Sequence, residues 1–192
     1  MALVSPAAIS HWSALHYHGL TQQIPRKVFV LTTTEATVPR RRSMQAGETE
    51  GYPVGDTCYQ FVQVKPGRYF GVEKVWINGI HVVMNDPERT LIDGLSMPRY
   101  CGDFAEVLQA FAARLPQLDL ERIIGYALRL DAATAKRLGW VLEYHRVNPA
   151  RLRQLEKVPI KGYRKLDPTS PAGGPHHQRW MIQENLPGKV AW

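Results

Sequence analysis

The sequence lacks the features that would assign it to a membrane, secreted or zinc-binding class. No run of apolar residues approaches the roughly 20 needed to cross a bilayer, and the N-terminus does not have the basic-then-apolar pattern of a signal peptide. Its two cysteines, Cys58 and Cys101, lie in unlike sequence contexts without CxxC or Cys/His spacing. The sequence allows a disulfide between them but does not indicate one. We therefore expect a cytoplasmic protein without a membrane partner.

The motifs of several common enzyme classes are missing as well. There is no GxxxxGK[ST] loop, GxSxG elbow or HExxH helix, and no Asp or Glu has a Lys two residues on, as a Mg²⁺-dependent nuclease usually shows. Asp86 and Glu88 are paired acids, but the Gly-Ser that should precede them in a nucleotidyltransferase is absent, and helix capping explains them better than metal binding. We expect no catalytic activity, no cofactor and no bound metal.

A concentrated positive charge is what the sequence does have. The 192 residues carry a formal net charge of +7, on a composition of 44% hydrophobic and 21% charged residues that is ordinary for a globular protein. Residues 136–165 contain nine basic and two acidic side chains, an excess equal to that of the whole protein. A second basic focus is Arg26-Lys27 with the arginine triplet at 40–42. Such clustering favours a polyanionic partner.

The first half of the sequence is predicted to be mostly β. Ser5 and Pro6 signal the start of a first helix that ends at Gly19, and residues 27–34 read as a strand. Residues 35–57 are polar and predict a long loop, which strands at 58–64 and 72–84 follow. Asn78-Gly79 divides the second of these into a hairpin with a type I′ turn.

The second half is predicted to be helical. Four acids at helix-start positions are candidate N-caps: Asp86, Asp103, Asp119 and Asp131. Asn148-Pro149 begins a basic helix that must end before Pro159, and the chain is turn-rich from Gly162 onward. We predict an α/β (α+β) class, with a small, mostly antiparallel β part, a helical second half and an extended C-terminal tail. The expected division is a domain at 1–161 and a tail at 162–192 packed on it.

Five segments, in order along nearly the whole chain, resemble the C-terminal domain of AbiEi-family antitoxins, which belong to type IV toxin–antitoxin systems in phage defence. They are residues 13–30, 69–95, 101–108, 126–143 and 162–180, the second containing YFGVEKVWINGIHVVMNDPERTLIDGL. The resemblance implies an antitoxin that neutralises a cognate nucleotidyltransferase toxin, directly or indirectly, and that takes part in transcriptional autoregulation. The family's N-terminal winged helix-turn-helix, which reads the operator, has no counterpart in this sequence.

Eight basic residues are candidates for contact with nucleic acid or with a protein partner. They are Arg40, Arg41, Arg42, Lys136, Arg137, Arg151, Arg153 and Lys157. Arginine and lysine pair with phosphates of operator DNA or RNA, and Arg153 and Lys157 repel each other at i,i+4 spacing unless an anionic ligand or an acidic toxin surface compensates them. A solvated charged face remains the alternative for each cluster. The rival to the antitoxin is thus a nucleic-acid-binding protein that acts through a basic surface.

Overall fold

The computed structural model describes residues 4–39 and 51–186, which form two compact units, Met1–Thr90 and Leu91–Trp192. The first unit contains a mixed six-stranded sheet, and helices dominate the second. The predicted α/β class is therefore confirmed. The division into 1–161 and 162–192 stays a prediction, and the described tail residues belong to the second unit. Within the described ranges, no helix has both the length and the apolar character needed to span a membrane.

The first unit follows the order β1 (Ala7–Ile9), α1 (His11–Tyr17), β2 (Val28–Thr33), β3 (Tyr52–Val54), β4 (Thr57–Val64), β5 (Val72–Ile77) and β6 (Ile80–Asn85). The strands are arranged β3-β4-β2-β1-β6-β5. Three neighbouring pairs are antiparallel, whereas β2 with β4 and β1 with β6 are parallel. The predicted strand at 27–34 is confirmed as β2, while β3 occupies part of the predicted 35–57 loop.

The prediction of a helix beginning at Ser5-Pro6 is wrong. Residues Ala7–Ile9 form β1, which pairs with β2 on one side and β6 on the other, and the helix begins only at His11. Sheet pairing satisfies the backbone groups of this segment and overrides the local helix signal, because tertiary context outweighs propensity. The predicted end at Gly19 holds: this glycine has φ +67°, and Leu20 N–H donates to the Leu15 carbonyl at 2.8 Å, as in a Schellman motif.

The predicted hairpin is confirmed as β5 and β6. Asn78 and Gly79 have φ of 49° and 81°, and the positive values at both positions are those that a type I′ turn requires. A two-residue turn fixes the register, so Ile77 pairs with Ile80 and Trp76 with His81. The geometry of this hairpin therefore follows from the Asn-Gly dipeptide.

Four predicted N-caps are confirmed at the helices α2 (Pro87–Ser96), α3 (Phe104–Arg114), α4 (Leu120–Leu130) and α5 (Ala132–Tyr144). In each, an aspartate side chain accepts a backbone N–H from the residue three positions on. The distances are 2.7 Å for Asp86, 2.8 Å for Asp103, 3.1 Å for Asp119 and 2.9 Å for Asp131. Each cap occupies one of the four donors that a helix start leaves unsatisfied.

The rest of the second unit consists of short elements. A 3₁₀ turn at Pro149–Leu152 leads into α6 (Arg153–Glu156), and β7 (Arg164–Lys165), β8 (His176–His177) and β9 (Ile182–Gln183) form a small sheet in the order β7-β9-β8. Trp180, between β8 and β9, is completely buried against α5, where Gly139 leaves space for its indole ring. The tail is therefore part of the core of this unit.

Candidate binding surface

The basic segment around α6 is held in place by two leucines. Leu152 and Leu155 are completely buried and form the apolar face of this segment, and the Asn148 side chain accepts the Ala150 N–H at 2.9 Å where the segment starts. Arg153 and Lys157 are exposed. The structure thus places these two predicted binding residues on the surface, beside leucines that anchor their segment in the core.

Arg151 is exposed as well, but it has an acidic neighbour. Its guanidinium lies 3.2 Å from a carboxylate oxygen of Glu121, and the two side chains retain 47% and 73% of their exposed surface. Ion pairs with this exposure contribute at most about 1 kcal/mol. A phosphate can therefore compete for Arg151 at little cost.

Lys136 and Arg137 do not belong to the exposed basic surface, so the prediction for these two residues is corrected. Only 2% of Lys136 and 8% of Arg137 is accessible. The Lys136 ammonium donates to the carbonyls of Leu155 and Glu156, at 3.2 and 2.7 Å, at the end of α6. Both side chains therefore satisfy buried carbonyls instead of binding a ligand.

The contacts of Arg137 explain why a buried arginine is tolerated in α5. Its Nε donates to the Lys165 carbonyl at 3.0 Å and one terminal nitrogen donates to the Leu95 carbonyl at 3.4 Å, so the side chain joins three segments. Burial lowers the pKa of Arg137, and burial likewise lowers that of Lys136, against the opposing effect of the Glu156 carboxylate. Helical position alone could not reveal this burial, because α5 is covered on most of its surface.

Arg40, Arg41 and Arg42 lie outside the described residues. The remaining basic residues near α6 that are exposed are Lys161 and Arg164. Within the part of the chain that the structure describes, Arg153, Lys157 and Lys161 make no ion pair. Together with Arg151 they form what we call the α6 basic surface: Arg151, Arg153, Lys157 and Lys161.

Glu143 and Glu156, the two acids of the 136–165 segment, both form ion pairs with Arg179. Its terminal nitrogens donate to Glu143 at 2.9 Å and to Glu156 at 3.0 Å, and the Trp180 indole N–H also donates to Glu143. Arg179 thus ties the tail to α5 and α6 and reduces the negative charge that these acids would add near the α6 basic surface. Sequence reasoning missed this arginine, because its partners lie 36 and 23 residues earlier.

Asp167 is a second polar anchor of the tail that sequence reasoning missed. Its carboxylate accepts from the Thr169 hydroxyl at 2.6 Å and from the Thr169 N–H at 2.8 Å, while Asn185 donates to its carbonyl at 2.9 Å. Burial alone would raise the pKa of Asp167, but the hydrogen bonds from Ser170 and Thr169 outweigh burial and lower it. These hydrogen bonds therefore stabilise the charged carboxylate of Asp167 in the folded protein.

The acids considered as metal ligands have structural contacts. Asp86 caps α2, and the following Arg89 is completely buried, donating to the carbonyls of Arg68 and Phe70 at 2.9 and 3.1 Å. Asp93, four residues after Arg89 in α2, is completely buried as well. In residues 4–39 and 51–186, no three His, Cys, Asp or Glu side chains are grouped closely enough to hold a metal ion.

Both cysteines are free thiols. Cys58 is partly exposed and Cys101 is buried. Burial and, to a lesser degree, the Asp93 carboxylate raise the pKa of the Cys101 thiol well above its ordinary value. A thiol held in its neutral form is a poor nucleophile, so Cys101 acts as a small core residue.

An exposed aromatic pair on the β5–β6 hairpin is a further surface feature that sequence reasoning missed. Trp76 is 64% exposed, and its ring centroid lies 3.7 Å from that of His81 on the neighbouring strand. The Asn78-Gly79 turn could have revealed the pair, because its register sets residue 76 opposite residue 81. The exposure could not be foreseen, since it depends on where the neighbouring strands end.

Comparison with known proteins supports the fold alone. No family model matches the chain, and no curated protein matches it. A solved structure, that of the RV2827C protein from Mycobacterium tuberculosis, superposes with a TM-score of 0.62 at 10% sequence identity. The match covers 92% of this chain and 61% of that protein, so the chain spans less than two thirds of the length of its structural neighbour.

Proposed function

We propose that this protein is a cytoplasmic antitoxin without catalytic activity of its own, which neutralises a nucleotidyltransferase toxin of an AbiEi-type pair. The proposal depends on the resemblance of five ordered segments to the antitoxin domain. Residues of these segments hold the fold together: Asp86 and Arg89 fix the start of α2, Asp103 caps α3, and Trp180 fills the space beside α5. A resemblance at such positions supports a shared architecture, which an antitoxin domain must retain in order to act.

The test of this proposal is rescue of growth. Co-expression of the chain with its cognate nucleotidyltransferase should restore growth, because the segments that resemble the antitoxin domain are present and folded. The readout is viable cell count after toxin induction, with the soluble antitoxin quantified in the same cells. A matched control is the chain with Gly139→Ala, which leaves the surface intact and disrupts the core. Toxicity that persists while the unsubstituted chain is soluble and abundant would contradict the proposal.

The second candidate function is nucleic-acid binding, which the exposed cations of the α6 basic surface favour, since Arg153, Lys157 and Lys161 make no ion pair within the described residues. These side chains can contact phosphates, which position a protein without reading sequence. We expect binding that is indifferent to sequence, with a dissociation constant of about 10⁻⁴ to 10⁻⁶ M at physiological salt. Contact with operator DNA would contribute to autoregulation, and contact with RNA would place the protein on a substrate of the toxin.

A salt series with single substitutions tests this candidate. Each phosphate contact contributes about 0.9 to the slope of log affinity against log salt, so Lys157→Ala should reduce the slope by about 1. Lys65→Ala is the matched control, since it also removes one exposed lysine charge but from outside the α6 basic surface, and it should leave the slope unchanged. The measurement is fluorescence anisotropy with operator and scrambled duplexes. Equal slopes for Lys157→Ala and the unsubstituted protein, or binding restricted to the operator, would exclude a phosphate-contacting α6 surface.

A further inference from the structure

The β5–β6 hairpin projects beyond the rest of its sheet. β5 is an edge strand, and β6 pairs with β1 only at Met84, opposite Ile9. In this parallel register Ala7 is level with Val82, so the hairpin forms a two-stranded arm that extends past β1 only at its tip, from Trp76 to His81. Two large apolar side chains near its tip, Trp76 and Ile80, are each 64% exposed. The exposed indole of Trp76 offers an aromatic face on which a flat ligand can stack.

The two faces of this arm have different chemistry. Side chains alternate along a strand, so Lys74 and Trp76 share one face with His81, which pairs directly with Trp76. Glu73, Val75, Ile77 and Ile80 occupy the opposite face. Lys74 and His81 are exposed, and the strand residues on their face, from Val72 to Asn85, include no acid. One face is thus aromatic and cationic, while the other is mainly apolar with a single carboxylate.

His81 supports the indole ring from one side. The two ring centroids are 3.7 Å apart with an interplanar angle of 38°, which brings the imidazole against the face of Trp76. With 64% of the residue exposed, the indole remains open to a second flat partner. A ring that already packs against one neighbour loses little conformational entropy when it stacks on a ligand, and this favours binding.

We propose that the face formed by Lys74, Trp76 and His81 is a stacking platform for the bases of single-stranded nucleic acid. Trp76 would stack on a base, and Lys74, two residues earlier and roughly 7 Å along the strand, would pair with an adjacent phosphate. Every base has a π face, so the platform is tolerant of sequence. Duplex DNA is a poor ligand because its bases are already stacked on one another.

The charge of this face favours nucleic acid over a protein as its occupant. A lysine beside an open indole, with no acid on the same face, is complementary to a base and its phosphate, and the protein as a whole carries +7. Ile80 is as exposed as Trp76 but lies on the opposite face of the arm. The two residues therefore separate stacking on this face from general apolar contact with the arm.

The experiment compares Trp76→Ala with Ile80→Ser in binding to labelled oligonucleotides. The probes are deoxythymidine and uridine homopolymers of about 12 nucleotides, and a mixed-sequence duplex of the same length. Fluorescence anisotropy is read at raised salt, where phosphate contacts elsewhere are weakened and stacking persists. Trp76→Ala should weaken single-strand binding by about 5- to 150-fold, as expected for the loss of one stacked base.

Ile80→Ser should leave the affinity within about twofold, because the residue faces away from the platform and surface substitutions of this kind have small effects. Both changes are at exposed positions, and far-UV circular dichroism verifies that both variants are folded. Equal losses in the two variants, or unchanged single-strand binding by Trp76→Ala, would overturn the proposal, as would a preference of the unsubstituted protein for the duplex. Loss of oligonucleotide binding by Trp76→Ala with full rescue of growth would support the platform and leave the proposed antitoxin function standing.

Discussion

Replacing Gly139 with alanine should lower the stability of the second unit by about 2 kcal/mol or more, although the same change stabilises most helices. Gly139 lies in the interior of α5, where alanine would ordinarily gain up to about 1 kcal/mol. Here a Cβ atom would overlap the six-membered ring of Trp180. That ring is completely buried and tied to Glu143, so it cannot move aside without losing its contacts.

Gly125 in α4 provides the matched control. It is exposed, and a Cβ atom added there meets nothing within 4 Å. Gly125→Ala should therefore stabilise by up to about 1 kcal/mol, so that one substitution has opposite signs in two successive helices. Thermal unfolding followed by far-UV circular dichroism measures both, at about 2–4 °C per kcal/mol for a chain of this size. A melting temperature for Gly139→Ala equal to or above that of the unsubstituted protein would show that Trp180 does not pack against α5 as described.

Replacing Arg89 with methionine should destabilise the first unit by about 2–5 kcal/mol. The completely buried guanidinium donates to the carbonyls of Arg68 and Phe70, and it also lies 4.2 Å from the centroid of the Phe70 ring. Methionine fills similar volume but leaves these carbonyls without this donor, and each unsatisfied buried group costs about 1–3 kcal/mol. Urea denaturation monitored by circular dichroism gives the change.

Arg99→Met is the control for Arg89→Met. Arg99 is exposed and lies over the ring of Tyr100, with 4.6 Å between the guanidinium carbon and the ring centroid. Its replacement should alter stability by about 0.5 kcal/mol or less. Arg89→Lys keeps a positive charge and should recover part of the loss, because an ammonium can still donate to one carbonyl. A loss for Arg89→Met no larger than that for Arg99→Met would show that the buried hydrogen bonds are not needed.

Sequence reasoning was most accurate where structure is decided locally. The four aspartate caps and the Asn78-Gly79 turn depend on residues within a few positions of one another, and they were all located correctly. The error at Ser5-Pro6 arose because β1 is stabilised by strands that lie far along the chain, Val28–Thr33 and Ile80–Asn85. Sequence patterns within a few residues carry no information about strand partners that lie so far along the chain.

The candidate surface shows the same limit. Arg153 and Lys157 lie on the surface, since Leu152 and Leu155, within a few residues of them, define the buried face of the segment. Lys136 and Arg137 look identical to them in sequence, yet their partners are carbonyls 19 to 42 residues away. A basic residue buried against distant carbonyls cannot be told from an exposed one by charge counting.

The central position of β1 has a consequence for how a newly made chain folds. β1 is synthesised before both of the strands that flank it. Its partner β2 follows soon afterwards, but Met84, which pairs with Ile9 on the opposite edge, is made about 50 residues after β2 ends. At a synthesis rate of roughly 5–20 residues per second, this interval lasts about 3–10 seconds. During that time β1 has an open edge able to pair with another chain, and synthesis of β6 closes it.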